Sequence, residues 1–292
     1  MPRGSTFALV GALLLRHSLP TNAAGLKVES RDDVLQSASD LASDLAALYD
    51  ADGEDGPGRL SDDYFYWQSG AFMNTLIDYW HLTNDSAYND IVLEGIVHQS
   101  TEDNFMPANL RPTLIGNDDQ CFWGLAAMSA AENELPDPDQ DEPRWLGLAQ
   151  GVYSTQKARL DAEDEDQCNG GLRWGIDESH HGYGWKNSKH PFPWPSCWLS
   201  KYAHTLIALP NACLFDLAAR LARYTGNATY ADTALHLWDW LQGVGLITSN
   251  SKQVYLGADT AENCTSQSDI EDSLPAALLI NGAAFMYNFV SD

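Results

Sequence analysis

The amino-acid sequence predicts an all-α protein built from repeated pairs of helices. Apolar residues recur at the spacing of one helix face in residues 34–49, and similar runs follow along the chain. Residues 82–90 return as residues 224–232, with similar turn residues and a tyrosine between two apolar helical runs. Because each such αα-hairpin leaves an apolar face uncovered, the hairpins are expected to stack. Repeated helix pairs suit both a closed α/α toroid and an open solenoid, and the pattern alone does not separate them.

The predicted helices alternate with loops that are rich in glycine, proline or acidic residues. The first helix, at residues 34–49, can be capped by Asp32 or Asp33. Further helices are predicted at residues 67–82, 86–99, 118–132, 145–160, 211–224 and 229–246. In all, the sequence indicates about eight helices.

Two adjacent aspartates, Asp118 and Asp119, open the helix predicted at residues 118–132. Neighbouring side chains diverge by about 100° on a helix, which allows carboxyl groups roughly 5–6 Å apart, close to the spacing in retaining glycosidases. The free N–H groups at a helix start favour one ionised carboxylate. Shielding by Phe122 and Trp123, together with repulsion from the first charge, would hold a proton on the other. The pair therefore suits a nucleophile and a proton donor.

Two other interpretations of the same residues remain open on the dipeptide alone. Asn117, Asp118 and Asp119 are residue types that commonly cap a helix. A DDxxD metal-binding helix is the third interpretation, but Cys121 and Phe122 stand where another acid is needed. The chain has no clustered His or Cys spacing typical of a metal site, so neither a metal nor another cofactor is expected.

The composition indicates one acidic domain with a substantial core. The chain has 292 residues, 44% hydrophobic content and ten tryptophans. Its 16 basic and 41 acidic residues give a formal charge of −25, which would repel nucleic acid and anionic membranes. A neutral or cationic partner is therefore expected.

The N-terminus predicts a secretory signal at residues 1–24. Arg3 precedes an apolar run at residues 7–15, and small residues at 21–24 offer a cleavage site. That run is too short to span a bilayer. No later stretch is expected to be long and apolar enough for a transmembrane segment, and the C-terminus is not expected to carry a lipid anchor.

The five cysteines leave at least one thiol unpaired. Spacing does not reveal the pairing, but Cys168 and Cys264 lie in predicted loops and form the favoured disulfide. Cys121 and Cys213 lie in apolar helical contexts and are expected to be buried thiols. Cys197 is the expected odd thiol.

Three N-glycosylation acceptors support an extracellular route. They are Asn84, Asn227 and Asn263, each followed two residues later by Ser or Thr.

Two stretches of glycine and aromatic residues, at 168–174 and 182–187, are candidate sugar-binding loops. Aromatic rings can present flat faces to a sugar, while Arg173 and Asn187 can contact its hydroxyl groups. The alternative is that these aromatics only pack the loops onto the core.

Residues 117–132, NDDQCFWGLAAMSAAE, resemble the signature of the fungal members of glycoside hydrolase family 76, the endo-α-1,6-mannanases. The resemblance extends from about residue 32 to residue 288 and includes the family's GGLRW motif at residues 170–174 and part of its YKN motif at Lys186-Asn187. It implies an (α/α)6 toroid, formed by residues 25–292 as one glycosidase domain.

The resemblance also implies a function and a set of site residues. Asp118 would be the nucleophile and Asp119 the general acid/base. Asn109, in a loop expected at the mouth of the ring, Trp174, Tyr183 and Asn187 would bind the sugar.

The implied protein is a secreted, monomeric, retaining endo-α-1,6-mannosidase that acts on α-1,6-mannan or another mannose-containing glycan at the cell wall or cell periphery. A transglycosylase of cell-wall mannoproteins and an inactive carbohydrate-binding fragment are the alternatives.

The chain departs from the family pattern in three places. Residues 189–208, rich in proline and tryptophan, form an atypical insertion, which suits translated intron or a surface insertion. The family's usual Trp-Ser/Thr-Tyr-Asn stretch is not recognisable at residues 268–273. About eight helices fall short of the twelve in six αα-hairpins, so the toroid is expected to be incomplete at its C-terminus.

Overall fold

A computed structural model describes residues 27–50, 53, 56–61, 64–100, 104–107, 115–139, 141–162, 168–176, 205–250, 253–259 and 262–291. These residues form eight α-helices and one two-stranded antiparallel ribbon. The elements are α1 (Arg31–Ala46), α2 (Tyr66–Thr83), α3 (Asn89–Ser100), α4 (Asn117–Glu132), α5 (Trp145–Ala162), β1 (Thr205–Ile207), α6 (Ala208–Thr225), α7 (Ala228–Gly243), β2 (Gly257–Asp259) and α8 (Ser273–Ser291).

The chain divides into two compact units, Met1–Asp44 and Leu45–Asp292. The described part of the first unit contains most of α1. Ser30 rather than either aspartate provides the cap of this helix, because the Asp33 N–H donates to Ser30 Oγ at 3.1 Å. The Ser30 hydroxyl in turn donates to the Asp33 carboxylate at 2.8 Å. The helix therefore begins three residues earlier than the apolar pattern predicted, since polar residues can form its first turn.

In the second unit, α2, α4, α6 and α8 lie side by side with their N-termini at the same end. The contacts that establish this direction are Trp67–Asp119 and Asn74–Ser129 between α2 and α4, Cys121–Cys213 and Glu132–Arg220 between α4 and α6, and Asp216–Asn281 and Arg220–Phe285 between α6 and α8. Each helix in this row thus packs parallel to its neighbours.

A second layer, containing α5 and α7, packs antiparallel to the first. The Trp145 indole at the start of α5 donates to the Leu135 carbonyl beyond the end of α4, at 3.1 Å. At the other end of α5, the Gln156 amide donates to the Asn117 carbonyl at the start of α4, at 2.6 Å. This arrangement confirms the stacked αα-hairpins that the sequence predicted.

The internal repeat is also confirmed in its hydrogen bonds. In both turns the first helix ends in a residue with left-handed backbone, Asn84 at φ 61° and Gly226 at φ 70°. The side chain of the next residue then accepts an N–H two positions on, Ala87 N–H to Asp85 at 3.0 Å and Thr229 N–H to Asn227 at 3.0 Å. Because Asp85 and Ala87 form this turn, α3 begins three residues later than predicted.

Helix α4 is the centre of the described core. Every residue from Asn117 to Ala131 is buried. The contact with α2 is close because Gly70 lacks a side chain: a Cβ there would lie 3.0 Å from backbone atoms of Phe122 and Trp123. The close packing of α2 on α4 therefore requires glycine at position 70, because any larger residue would press on the α4 backbone.

The ribbon of β1 and β2 was not predicted. Thr205 pairs with Asp259, and Ile207 pairs with Gly257. The final residues of the predicted insertion therefore form a strand and then the start of α6, which begins at Ala208 instead of residue 211. Residues 189–204 of the insertion lie outside the described residues.

A disulfide joins Cys168 to Cys264 across a sequence separation of 96, so the favoured pairing is confirmed. Cys121 and Cys213 are free and buried, also as predicted, whereas Cys197 lies outside the described residues. The three predicted glycosylation acceptors are exposed, and their modification stays a prediction. Asn263 also accepts the Cys168 N–H at 2.7 Å beside the disulfide.

In the part of the chain that the structure describes, α8 is the one helix long and apolar enough to cross a membrane. The expectation that no stretch after the signal has this length and composition is therefore wrong. A core helix of a soluble protein passes the same test, and α8 buries a stripe against α6. Gly282 allows the close approach, since a Cβ there would lie 2.6 Å from the Phe215 ring. The predicted signal at residues 1–24 lies outside the described residues.

We expect Gly70→Ala to destabilise the protein, because its methyl group would press on the α4 backbone. Overpacking of this kind costs about 1–3 kcal/mol in the free energy of unfolding, measurable by urea titration. Gly147→Ala is the matched control, since Gly147 lies on the exposed side of α5 with nothing within 4 Å of its added Cβ. The control should gain up to about 1 kcal/mol from helix propensity. Equal effects of the two substitutions would contradict the close α2–α4 contact.

Candidate active site

Asp119 lies where two helix N-termini meet. Its Oδ2 accepts the Gly116 N–H at 2.8 Å, just before α4. Its Oδ1 accepts the Trp67 N–H at 3.2 Å, in the first turn of α2. The side chain is only 5% exposed, so these N–H groups replace much of its hydration. The hydrogen bond to Gly116 is a capping contact, and the capping interpretation and a functional one therefore apply to the same residue.

Asp118 lies beside it and is 7% exposed. The indole N–H of Trp174 donates to its carboxylate. Among the described residues, Asp118 Oδ1 has no hydrogen-bond partner. Gly116 leaves the room for this arrangement, because a Cβ there would lie 2.2 Å from Asp118 Oδ1 and 2.5 Å from Trp174 Nε1. The carboxylate thus has one oxygen that is buried without a hydrogen bond from the described residues.

The two carboxyl groups have unequal proton affinities. Burial raises the pKa of Asp118 from 3.8 to about 6, although backbone N–H groups and Trp174 lower it. Burial raises the pKa of Asp119 well above its usual range, and the negative charge of Asp118 raises it further. The N–H groups of Gly116 and Trp67 and the charge of Arg59 oppose this rise. Asp119 therefore holds its proton at a pH where Asp118 has lost its own.

This order agrees with the sequence interpretation that one carboxyl group is ionised while the other holds a proton. The N–H groups at the helix start were expected to favour the ionised form, and they do lower the pKa of Asp118, but burial raises it by more. The predicted shielding by aromatic residues is present: Trp123 is fully buried, and Phe122 packs against Trp67 with ring centroids 5.1 Å apart.

The loop that carries Trp174 is fastened to both α4 and α6. The Asn117 N–H donates to the Trp174 carbonyl at 2.8 Å, and the Asn117 amide donates to the Arg173 carbonyl at 2.8 Å. Asn211 of α6 bonds both backbone groups of Leu172, at 2.7 and 2.9 Å. The interpretation that the aromatic loop only packs on the core is therefore incomplete, because Trp174 reaches Asp118.

A buried amide cluster beneath the pair was not found from the sequence. The Gln156 amide, fully buried, donates to the carbonyl of Asn117 and to the side chain of Gln120. Arg159 donates to the same Gln120 oxygen. The sequence signal that could have revealed this cluster is the presence of Gln120 and Gln156 on the apolar faces of their helices. These groups hold the first turn of α4 in place.

The structure brings together three of the predicted site residues, Asp118, Asp119 and Trp174. Asn109, Tyr183 and Asn187 lie outside the described residues, and their role stays a prediction. The aromatic run at residues 64–67 was not singled out, although it opens α2 beside Asp119. Chemically, an ionised carboxylate beside a protonated one supplies a nucleophile and a proton donor.

Residues 33–292 match the family model described as Glycosyl hydrolase family 76. Mannan endo-1,6-alpha-mannosidase DCW1 of Eremothecium gossypii is 39% identical over 272 residues, which are 91% of this chain and 55% of that protein. The chain thus spans about half the length of the curated relatives it matches.

Two solved structures extend the comparison. The crystal structure of Dfg5 from Chaetomium thermophilum in complex with glucosamine is 40% identical, with a TM-score of 0.79 over 92% of this chain and 62% of that one. An inactive α-1,6-mannanase variant from Salegentibacter sp., with two adjacent aspartates replaced by alanine, was solved with α-1,6-mannotetrose. It is 13% identical, with a TM-score of 0.63 over 88% of this chain and 65% of that one, and this likeness concerns the fold alone. The predicted α/α-toroid class is confirmed.

The raised pKa of Asp118 predicts a pH-dependent stability. Between its unfolded value, near 3.8, and about 6 the folded protein binds more protons than the unfolded chain. The stability from this group is therefore present below about pH 4 and lost as the pH rises through about 6. Relative to the parent, Asp118→Asn should gain on the order of 1–3 kcal/mol between pH 4 and pH 7 in urea unfolding.

Asp232→Asn, at an exposed position of α7, is the control and should show no such change. A stability difference between Asp118→Asn and the parent that is constant across this pH range would contradict the raised pKa.

Proposed function

The chain belongs to glycosyl hydrolase family 76, and from that premise we propose that it is a retaining endo-α-1,6-mannosidase that hydrolyses α-1,6-mannan backbones. The observation that carries the proposal is the buried pair at the start of α4, in which Asp119 holds a proton more strongly than Asp118. The name of the related mannan endo-1,6-alpha-mannosidase supports the substrate. The Salegentibacter variant, inactive without its two adjacent aspartates, supports the pair.

The proposed reaction is a double displacement. Asp118 attacks the anomeric carbon through a carboxylate oxygen while Asp119 gives its proton to the departing glycosidic oxygen. The products of this half-reaction are a mannosyl ester on Asp118 and a carboxylate on Asp119. Asp119 then takes a proton from water, and the water oxygen displaces the ester with overall retention of configuration.

Other groups of the site orient the two carboxyl groups. Trp174 donates to Asp118 and orients its carboxylate. Gly116 and Trp67 hold Asp119 through both oxygens, at 2.8 and 3.2 Å, so that its proton points in a defined direction. Asn109, Tyr183 and Asn187 are proposed to bind sugar hydroxyl groups from the adjoining segments. The enzyme is proposed to act outside the cell, at the cell wall or periphery, after removal of residues 1–24.

We expect the purified chain to cleave α-1,6-mannan, with the α-anomer formed first in a proton NMR time course. Asp118→Ala and Asp119→Ala should each lose about 10²–10⁴-fold in kcat/KM. Asp232→Asn is the control and should keep the parent rate. A β-anomer as first product would exclude the retaining mechanism, and transfer to added mannoside in place of hydrolysis would indicate a transglycosylase.

Azide rescue distinguishes the roles of the two aspartates. With a dinitrophenyl α-1,6-mannobioside, azide should replace the missing nucleophile in Asp118→Ala and give the β-mannosyl azide. In Asp119→Ala the ester still forms, because this leaving group needs no proton, and azide should give the α-mannosyl azide. The opposite pair of products would reverse the assignment. Binding of mannotetraose by a folded parent without turnover would favour a carbohydrate-binding protein.

A further inference from the structure

Arg59 is a buried cation that faces the candidate active site from the segment before α2. Its side chain is 8% exposed, and its guanidinium carbon lies 5.3 Å from the centre of the Tyr66 ring. Tyr66 packs in turn against Trp123 of α4, with ring centroids 5.3 Å apart. Tyr66 directly precedes Trp67, whose N–H binds Asp119, and the charges of Arg59 and Asp119 both act on the Tyr66 phenol.

The backbone around Arg59 is held rigidly. Gln99 of α3 donates to the Pro57 carbonyl at 2.7 Å, and the Gly58 N–H donates to the Tyr49 hydroxyl at 3.0 Å. The Leu60 N–H donates to Ser69 of α2 at 3.1 Å. A Cβ at Gly58 would lie 2.6 Å from the Gly95 carbonyl oxygen, so this segment also packs tightly on α3. The backbone of this segment is therefore fixed against α2 and α3, and the guanidinium itself packs on the Tyr66 ring of α2.

Among the described residues, few charged or titratable groups act on Asp119. Asp118 supplies the negative charge that raises the pKa of Asp119, and Arg59 supplies the positive charge that lowers it. The phenol of Tyr66 stays neutral, since burial raises its pKa. From α6, the Cys213 thiol faces Asp118, and burial raises its pKa as well. Arg59 is thus the one cation that acts on Asp119 among the described residues.

We propose that Arg59 is a positioning residue of this glycosidase, which keeps Asp119 ionised during the second half-reaction so that it can act as a base. The proposal rests on the proposed function. It assigns to Arg59 no contact with the sugar, only an electrostatic action on Asp119.

The charge balance of the two half-reactions shows what this cation contributes. In the free enzyme the negative charge of Asp118 favours the protonated form of Asp119, which suits a proton donor. Once Asp118 has become a neutral ester, that charge is absent, whereas burial still favours the protonated form. The positive charge of Arg59 then acts together with the N–H groups of Gly116 and Trp67, which also favour the carboxylate. It stabilises the carboxylate of Asp119 until this group accepts a proton from water.

The test is a direct titration of Asp119. The carboxyl carbon is followed by carbon-13 NMR in protein labelled at aspartate, with the signal assigned by its loss in Asp119→Asn. Arg59→Met should raise the pKa of Asp119 by about one unit or more, the usual effect of losing a nearby opposite charge. The same shift is expected in the Asp118→Asn background, which imitates the uncharged ester state.

Three variants act as controls. Arg144→Met also removes one positive charge, but the Arg144 side chain is 79% exposed, and the pKa of Asp119 should not change. Arg59→Lys keeps the charge and should restore most of the parent value. Tyr66→Phe removes the phenol and keeps the ring under the guanidinium, and it should leave the rise caused by Arg59→Met intact.

Each outcome decides the proposal. An unchanged or lowered pKa of Asp119 in folded Arg59→Met overturns it. If Arg59→Met does not fold, the same titration is made with Arg59→Gln. If neither variant folds, the proposal is also overturned, because Arg59 would then be required for folding itself. The titration needs no turnover, so a chain without mannanase activity would remove the proposed function while the coupling of Arg59 to Asp119 is still measured.

If the chain is active, the kinetics give a second readout. In Arg59→Met the alkaline limb of kcat/KM should move to higher pH, because Asp119 stays protonated longer. With the dinitrophenyl substrate the first step needs no proton, and the second step requires ionised Asp119 in the ester intermediate. At a pH below the pKa of Asp119 in that intermediate, kcat should therefore fall about tenfold per unit of pKa shift. A loss of activity with an unchanged pH profile would indicate a structural role for Arg59 and contradict the proposal.

Discussion

The candidate site depends on one carboxylate, that of Asp119, which accepts backbone N–H groups from the starts of two different helices. Trp67 in the first turn of α2 and Gly116 just before α4 hold opposite oxygens of Asp119, at 3.2 and 2.8 Å. These bonds require α2 and α4 to lie parallel and close together, which Gly70 makes possible because a larger residue would meet the α4 backbone. The same contact therefore stabilises the helix packing and orients a group proposed to transfer protons.

Competition between burial and hydrogen bonding sets the chemistry of the pair. Helix N-termini favour a carboxylate, but removal from water opposes it, and at Asp118 burial prevails to give a pKa of about 6. Asp119 has the additional repulsion of Asp118, so two identical side chains acquire different proton affinities. The buried cation Arg59 opposes this repulsion from the side of α2.

The stacked hairpins explain why distant parts of the chain meet at this site. Since α2, α4 and α6 are parallel, the segments that precede them lie at the same end. Contacts there join residues far apart in sequence: Trp67 and Asp119 are separated by 52 positions, Asn117 and Arg173 by 56, and Leu172 and Asn211 by 39. The disulfide of Cys168 further fastens the loop that brings Trp174 to Asp118.

The sequence by itself determined the helical class, the repeated hairpin turns, the favoured disulfide and the aspartate pair, because periodicity, turn residues and a dense motif are local signals. Tertiary structure alone decided which groups surround that pair. No local pattern marks Gln156 or Arg59 as neighbours of the site, and none predicts the ribbon formed by β1 and β2. Their positions follow from long-range packing. For the same reason the sequence did not reveal how far burial raises the pKa of Asp118: the helix start is visible in the sequence, whereas the extent of burial is a property of the assembled layers.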